Sequence, residues 1–244
     1  MYSSRQYLGD PMSVLFLCIS SSILIAGIML SKMKTKTRYH TTLALAWLVF
    51  SYKMIEYSIY ALNFRLEKIP IEFSTITYFI FSITVIFNLR SFKTIAAFMS
   101  FVTGIGYLVS FVFLGQSFFA QNGTYITTMA LLNHSIVYLG SMMMIKDVVW
   151  NHQEERRILI FSVLYIIYVS VLDMFVSFTQ PFIFIRMLLG ADVLYRLLPQ
   201  STYSSYMYLL YYLVIFLMFR FIMFLFHIIC SVNDRKEVRH EHTI

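Results

Sequence analysis

Charged side chains are scarce in this 244-residue sequence. Asp, Glu, Lys and Arg together make up 13% of it, whereas 59% of the residues are hydrophobic. A soluble globular domain carries about twice that charged fraction. The hydrophobic residues also form runs of about 20 residues, which is the length that a helix needs to cross a bilayer. Composition therefore excludes an ordinary soluble domain and predicts an all-α, polytopic membrane protein.

Proline and cysteine are rare as well. None of the four prolines falls in the middle of an apolar run, and Pro70 lies at the start of one, where its missing N–H costs little. Cys18 and Cys230 lie near opposite ends of the chain, so we expect no disulfide. The first apolar run is longer than a signal-peptide core, so we interpret it as a span. We predict a single transmembrane domain over residues 1–244.

Seven apolar runs follow one another along the chain. The predicted spans are residues 12–30, 41–62, 70–89, 94–114, 125–145, 158–179 and 205–230. The segments after the first, third, fifth and seventh spans hold four, two, three and three Lys or Arg residues, whereas the other segments outside the spans together hold five. The positive-inside rule therefore predicts an outer N-terminus and an inner C-terminus. We expect a multi-pass protein of a cell membrane, and the Phe-, Ile- and Lys-rich composition favours a bacterial plasma membrane.

The formal net charge of +7 would suit a nucleic-acid partner. The basic residues, however, lie in the loops between spans, which is the pattern of membrane topology. We therefore expect no nucleic-acid partner and no cofactor or metal. Membrane lipid is the expected partner, with another membrane protein or a second copy of the chain as the alternative.

Polar side chains interrupt the spans, mainly in their outer halves. An ionisable group in hydrocarbon costs about 2.5–3.5 kcal/mol or more, so these positions carry information. At a rise of about 1.5 Å per residue, Glu56 lies roughly 9 Å, Ser74 roughly 6 Å and His134 about 13 Å below the outer edge. The residues predicted in the outer half are Glu56, Glu72, Ser74, His134 and Asp173.

Structural roles account for several polar residues. Lys53 and Glu56 are spaced i, i+3, and such a pair neutralises itself on one helix face. Ser74 is placed to bond to a carbonyl of its own helix. His134 suits a hydrogen bond between helices. Arg220 is expected to pair with a carboxylate or to snorkel toward the membrane surface. Asp173 is expected to pair with Arg220 or with Lys53.

A catalytic role is the alternative for the same residues. A serine hydroxyl is a poor nucleophile until a base takes its proton, and histidine is the usual base. A carboxylate that holds the imidazole in one tautomer completes such a site. Ser74, His134 and one of three carboxylates supply these roles. The three carboxylates are Glu56, Glu72 and Asp173.

Three segments resemble the YwaF-like integral membrane protein family. The stretch "LEKIPIEFSTITYFIFSITVIFNLRSFKTIAAFMSFVTGIGYL" is similar to its third and fourth spans, where a Leu-Pro-x-x-x-Cys type of motif opens a span. The stretch "MALLNHSIVYLGSMMMI" resembles its histidine-bearing span, and "LGADVLYRLLPQSTYSSYMYLLYY" resembles its last loop. The likeness falls within residues 40–230.

The resemblance implies a membrane-embedded enzyme. Animal relatives of the family are acyltransferases acting on ether phospholipids, and more distant relatives hydrolyse fatty-acid esters of hydroxy fatty acids. They use a Cys or Thr nucleophile with a histidine. The nucleophile position falls on Ser74, where Cys is usual, and the histidine position falls on His134. The departure implies either an ester intermediate on serine or a loss of activity.

The first hypothesis is a membrane-embedded acyl hydrolase or acyltransferase that takes a lipid ester from the outer leaflet. Ser74 attacks, His134 moves the proton, and Asp173 or Glu56 orients the imidazole. Lys53 or backbone N–H groups at the start of the third span stabilise the oxyanion. The residues assigned to substrate binding are Glu72 and Lys53.

Two further hypotheses need no nucleophile. In the second, the chain is a small-molecule transporter or a substrate-binding membrane subunit. Its outer-half charges, Lys53, Glu56 and Asp173, then couple to a solute or to protons. In the third, the chain is a non-catalytic partner in a membrane complex, and the polar residues serve helix association.

Overall fold

The computed structural model describes residues 11–65, 72–148, 150–175, 213, 216–217 and 219–230. Within these residues the regular structure is helical and no strand occurs, which confirms the all-α prediction. The α-helices are α1 (Pro11–Ser31), α2 (Thr35–Leu62), α3 (Phe73–Ile86), α4 (Lys93–Met144), α5 (His152–Phe175) and α6 (Phe219–Cys230). Short 3-10 turns, Arg90–Phe92 and Ile145–Asp147, flank α4.

Helix α4 is a hairpin with two arms, residues 93–122 and 124–144. Gly123 separates them with φ 76° and ψ 170°, a left-handed φ that favours glycine. The arms fold back on each other. The Ser141 hydroxyl donates to the Ala97 carbonyl at 2.7 Å, and the Thr127 hydroxyl donates to the Phe118 carbonyl at 3.0 Å. The two arms therefore correspond to the predicted spans 94–114 and 125–145.

The loop predicted between those two spans is wrong, because the first arm continues as a helix to residue 122. Aromatic packing explains the extension. Phe119 stacks on Phe16 of α1 with ring centroids 5.8 Å apart, and Phe118 is buried. These side chains have apolar partners only if the helix carries on beyond Leu114.

The other boundaries also differ from the prediction. Helix α2 begins at Thr35 rather than at residue 41, and α3 covers Phe73–Ile86 rather than 70–89. Helix α5 begins at His152, six residues before the predicted span. Pro70, residues 205–212 at the start of the last predicted span and the side chain of Asp173 lie outside the described residues.

The helices pack through small side chains and hydroxyl groups. The Thr103 hydroxyl of α4 donates to the Thr77 hydroxyl of α3 at 3.0 Å. Tyr138 reaches from the second arm to the Leu24 carbonyl of α1, at 3.1 Å. Gly104 faces Tyr138, and a Cβ atom on Gly104 would lie only 2.4 Å from the Tyr138 Cβ. Glycine is therefore required here for close contact between the two arms.

Two segments of the described chain are long and apolar enough to cross a bilayer. They are α1, with 21 residues, and the 58-residue segment Arg90–Asp147 that contains both arms of α4. Helices α3 and α6 are apolar but shorter. The seven-span topology and the orientation of the termini stay predictions.

Candidate functional site

An ion pair lies in the C-terminal half of α2. The Lys53 ammonium is 2.6 Å from Glu56 Oε2, and the Tyr60 hydroxyl donates to Glu56 Oε1 at 3.2 Å. The Lys53 side chain is only 10% exposed and that of Glu56 is 23% exposed. The structure thus confirms that Lys53 and Glu56 neutralise each other on one helix face.

Tyrosine rings surround the Lys53 ammonium. It lies 4.8 Å from the ring centroid of Tyr78 on α3 and 5.3 Å from that of Tyr52. A cation over an aromatic face is attracted by the ring quadrupole, and the attraction grows when water is excluded. Two ring faces and one carboxylate therefore hold this buried charge.

His134 also contacts Tyr78. Its ring stacks on Tyr107 with centroids 4.0 Å apart and an interplanar angle of 6°, and it meets the Tyr78 ring edge-on at 5.6 Å. Its Nδ1 is 3.2 Å from the Thr103 carbonyl oxygen. A carbonyl oxygen only accepts, so this partner assigns the proton to Nδ1. Nε2 of the neutral ring is then left as an acceptor.

Ser74 is held by a different group. Its hydroxyl donates to Glu72 Oε2 at 3.4 Å, and Glu72 is the N-cap residue of α3 with an extended backbone. The Glu72 side chain is exposed and Ser74 is half-buried. Both residues therefore lie at the mouth of α3, where the first N–H groups of a helix have no partner within that helix.

The predicted site residues thus fall into two groups. Tyr78 contacts both Lys53 and His134, whereas Ser74 bonds to Glu72. In the part of the chain that the structure describes, no hydrogen bond joins Ser74 to His134. His134 bonds to Thr103, whose hydroxyl meets α3 one turn below Ser74. The Ser–His pairing stays a prediction, as does the role of Asp173, whose side chain lies outside the described residues.

Sequence reasoning missed the tyrosines. Tyr60 follows Glu56 by four residues on α2, a spacing at which two side chains meet, so this contact could have been predicted from the sequence. The contacts of Tyr78 and Tyr107 join different helices and depend on how each helix is rotated, which the sequence does not encode locally. For Arg220 the sequence left open pairing with a carboxylate or snorkelling, and in the structure Arg220 pairs with Glu155 at 2.5 Å.

A second polar region lies where the start of α2 meets the turn after α4. Arg38 of α2 pairs with Asp147 at 2.5 Å, and the Arg38 side chain is 7% exposed. Asp147 also lines a small cleft of about 30 Å³ with Tyr39, Asn88 and Lys93. A cleft of that size holds one or two water molecules. We therefore regard this region as a structural junction of the helix ends.

Among the described residues, no cluster of three or more His, Cys, Asp or Glu side chains is arranged to hold a metal ion. No family model, curated protein or solved structure matches the chain. The resemblance to the YwaF-like family therefore stays a prediction.

Proposed function

We propose that the chain is a multi-pass membrane protein with seven spans, an outer N-terminus and an inner C-terminus. Its apolar surface supports this proposal. Soluble monomers rarely expose contiguous apolar patches of more than a few hundred Å². Here α1, α2, α5 and α6 all carry large exposed apolar side chains. Examples are Leu17, Ile28, Leu48, Ile55, Leu164 and Phe221.

Within this bundle, the function best supported is binding of a small polar molecule or a lipid headgroup in the outer half, by a transporter or a substrate-binding subunit. One observation carries it: the Lys53 ammonium, which is paired with the partly buried Glu56, and the buried His134 imidazole both contact the ring of Tyr78. An ion pair removed from water is often no more stabilising than apolar packing, because desolvation offsets the attraction. Its presence beside an imidazole is better explained by ligand binding.

Ligand binding predicts a stabilising effect of charged solutes. We expect at least one of tetramethylammonium, acetate and glycine betaine to raise the thermal unfolding midpoint of the purified chain by about 2–4 °C at a concentration of about five times its Kd. The double substitution Lys53→Met with Glu56→Gln removes both charges without leaving one unpaired, and it should abolish the rise. The shift is measured by differential scanning fluorimetry in a maltoside detergent.

The matched control is Glu154→Gln. Glu154 forms an i, i+3 ion pair with Arg157 on α5, so this substitution also breaks a pair within one helix, but on a different helix from Lys53 and Glu56. It should keep the ligand-induced rise. If no solute raises the midpoint, or if the double variant responds like the wild type, the binding proposal is wrong.

A second candidate function is the acyl hydrolase or acyltransferase, favoured by the Ser74–Glu72 hydrogen bond at the mouth of α3. The Ser74 oxygen would bond to the acyl carbon of a lipid ester while the ester C–O bond breaks. The serine proton would pass through Glu72 or His134 to the leaving alcohol. Unpaired N–H groups of the first turn of α3 would face the oxyanion. Water or a second lipid would then take the acyl group.

The acyl-transfer candidate predicts labelling by a lipophilic fluorophosphonate. We expect Ser74→Ala to abolish labelling. Loss of the general base, by Glu72→Gln or by His134→Ala, should slow labelling by about 10²-fold or more, and the variant that does so identifies the base. Ser82→Ala is the control, because Ser82 is a fully buried hydroxyl of the same helix. Labelling that survives Ser74→Ala would exclude this function. If both functions fail, a non-catalytic role in a membrane complex remains.

A further inference from the structure

The charge balance of the cluster formed by Lys53, Glu56, Tyr52, Tyr60 and Tyr78 restricts the chemistry of its ligand. We propose that the ligand is a zwitterion, with an ammonium and an anionic group a few atoms apart, such as a free amino acid or betaine or the headgroup of a phosphocholine or phosphoethanolamine lipid. This inference rests on the binding function proposed above. It follows from the groups around Lys53 and Glu56.

The cluster already holds an ammonium group. The Lys53 ammonium is bound by the faces of Tyr78 and Tyr52 and by a carboxylate oxygen of Glu56. Aromatic faces combined with a carboxylate are the surroundings that proteins use for organic ammonium ligands. The Tyr60 hydroxyl fixes the carboxylate from its other oxygen. A ligand ammonium therefore finds a formed site when the Lys53 side chain moves on its flexible stem.

The displaced lysine then requires a new partner. Lys53 is buried, and an unpaired charge in such a place is costly. The anionic group of the same ligand can receive the Lys53 ammonium in a charge-assisted hydrogen bond. The ligand is thus inserted between Lys53 and Glu56, and each of the two residues keeps an opposite charge beside it.

Ligands with a single charge do not satisfy this balance. A cation alone would leave two positive charges against Glu56, and an anion alone would leave two negative charges against Lys53. Either case leaves one uncompensated charge in a site with little water. A zwitterion leaves no uncompensated charge, so the cluster should bind a zwitterion in preference to a cation or an anion.

The cluster opens on the side of Glu56. The Glu56 side chain is 23% exposed, and the neighbouring side chains Ile55 and Ile59 of α2 lie on the surface. Under the proposed topology, these isoleucines face the acyl chains of the outer leaflet. The opening therefore lies between water and lipid, where a soluble zwitterion and a lipid headgroup both have access.

Three ligands of nearly equal shape test the charge type. Glycine betaine is the zwitterion. Choline keeps the cation but has a hydroxymethyl group in place of the carboxylate, and 3,3-dimethylbutyrate keeps the anion but has a carbon in place of the nitrogen. We expect only betaine to raise the unfolding midpoint of the full chain in maltoside detergent, by about 2–4 °C at a concentration of about five times its Kd. The variant with both Lys53→Met and Glu56→Gln should lose the rise, and Glu154→Gln should keep it.

The outcomes separate this inference from the function on which it rests. If choline or dimethylbutyrate raises the midpoint as much as betaine does, and the double variant loses the rise, the site binds ligands but the zwitterion is wrong. If no probe acts, in detergent or in lipid, both proposals are wrong. The variant with both charges removed is used because Glu56→Gln alone leaves Lys53 unpaired and can prevent folding.

The source of the zwitterion is tested in nanodiscs. We compare discs of phosphatidylcholine or phosphatidylethanolamine with discs of phosphatidylglycerol, whose headgroup lacks the ammonium. A midpoint higher in the zwitterionic lipids for the wild type, but equal in all discs for the double variant, identifies a lipid headgroup. A response to soluble betaine with no difference between lipids identifies a solute. Equal responses to all lipids and no response to betaine overturn the inference.

Discussion

Replacing Gly104 with alanine is expected to destabilise the chain by about 2–3 kcal/mol, because the new methyl group overpacks the contact between the arms of α4. The added Cβ would lie 2.4 Å from the Tyr138 Cβ and 2.8 Å from its Cα. The second of these atoms belongs to the backbone, so no side-chain rotation relieves the clash and the two arms must separate. The measurement is the thermal unfolding midpoint, which should fall by about 4–12 °C.

Gly106→Ala is the matched control, because Gly106 lies two residues further along the same arm and a Cβ there meets no atom within 4 Å. Alanine improves helix propensity by up to about 1 kcal/mol at both positions. Gly106→Ala should therefore leave the midpoint unchanged or raise it slightly, and the difference between the two variants isolates the contact with Tyr138. Equal losses at both positions would show that the arms do not pack as described.

Much of the fold followed from the length of the apolar runs. Helix α1 and both arms of α4 lie where runs of about 20 apolar residues predicted spans. The errors arose where a distant partner decides the structure. The first arm extends to residue 122 because Phe119 finds Phe16 of α1. Helix α2 begins early and brings Arg38 to Asp147, a residue 109 positions away. The sequence around Phe119 or Arg38 contains no information about these distant partners, Phe16 and Asp147.

The candidate site shows the same division. The Lys53–Glu56 pair and its bond to Tyr60 lie within one helix, so a spacing of three or four residues was enough to predict the ion pair. The positions of Tyr78 and His134 around that pair depend on helices that meet only in the folded bundle. Predicting that Ser74 belongs with His134 required the same tertiary information, and the structure gives Ser74 another partner, Glu72.

The Arg38–Asp147 pair is expected to respond asymmetrically to substitution. Arg38 is 7% exposed in its side chain and Asp147 is 44% exposed, so the two charges differ in how well water can replace the lost partner. Among the described residues, Arg38 Nε also lacks a hydrogen-bond partner. Asp147→Asn therefore leaves a buried guanidinium without its counter-ion, whereas Arg38→Met leaves a carboxylate that water can solvate.

We expect Asp147→Asn to cost about 1–3 kcal/mol, less than the usual cost of breaking a fully buried pair because Asp147 is partly solvated. Arg38→Met should cost less than Asp147→Asn, since methionine keeps the apolar stem in place. The double variant should be close to Arg38→Met alone, because no buried charge remains in it. Thermal midpoints of the three variants test the order. They are measured beside Arg157→Met, because the Arg157 side chain is 40% exposed in its pair with Glu154, whereas that of Arg38 is 7% exposed. A larger loss for Arg38→Met than for Asp147→Asn would mean that the packing and hydrogen bonds of the guanidinium outweigh the cost of its desolvation. The Arg38–Asp147 contact would then be stabilised by the arginine side chain itself rather than by charge balance.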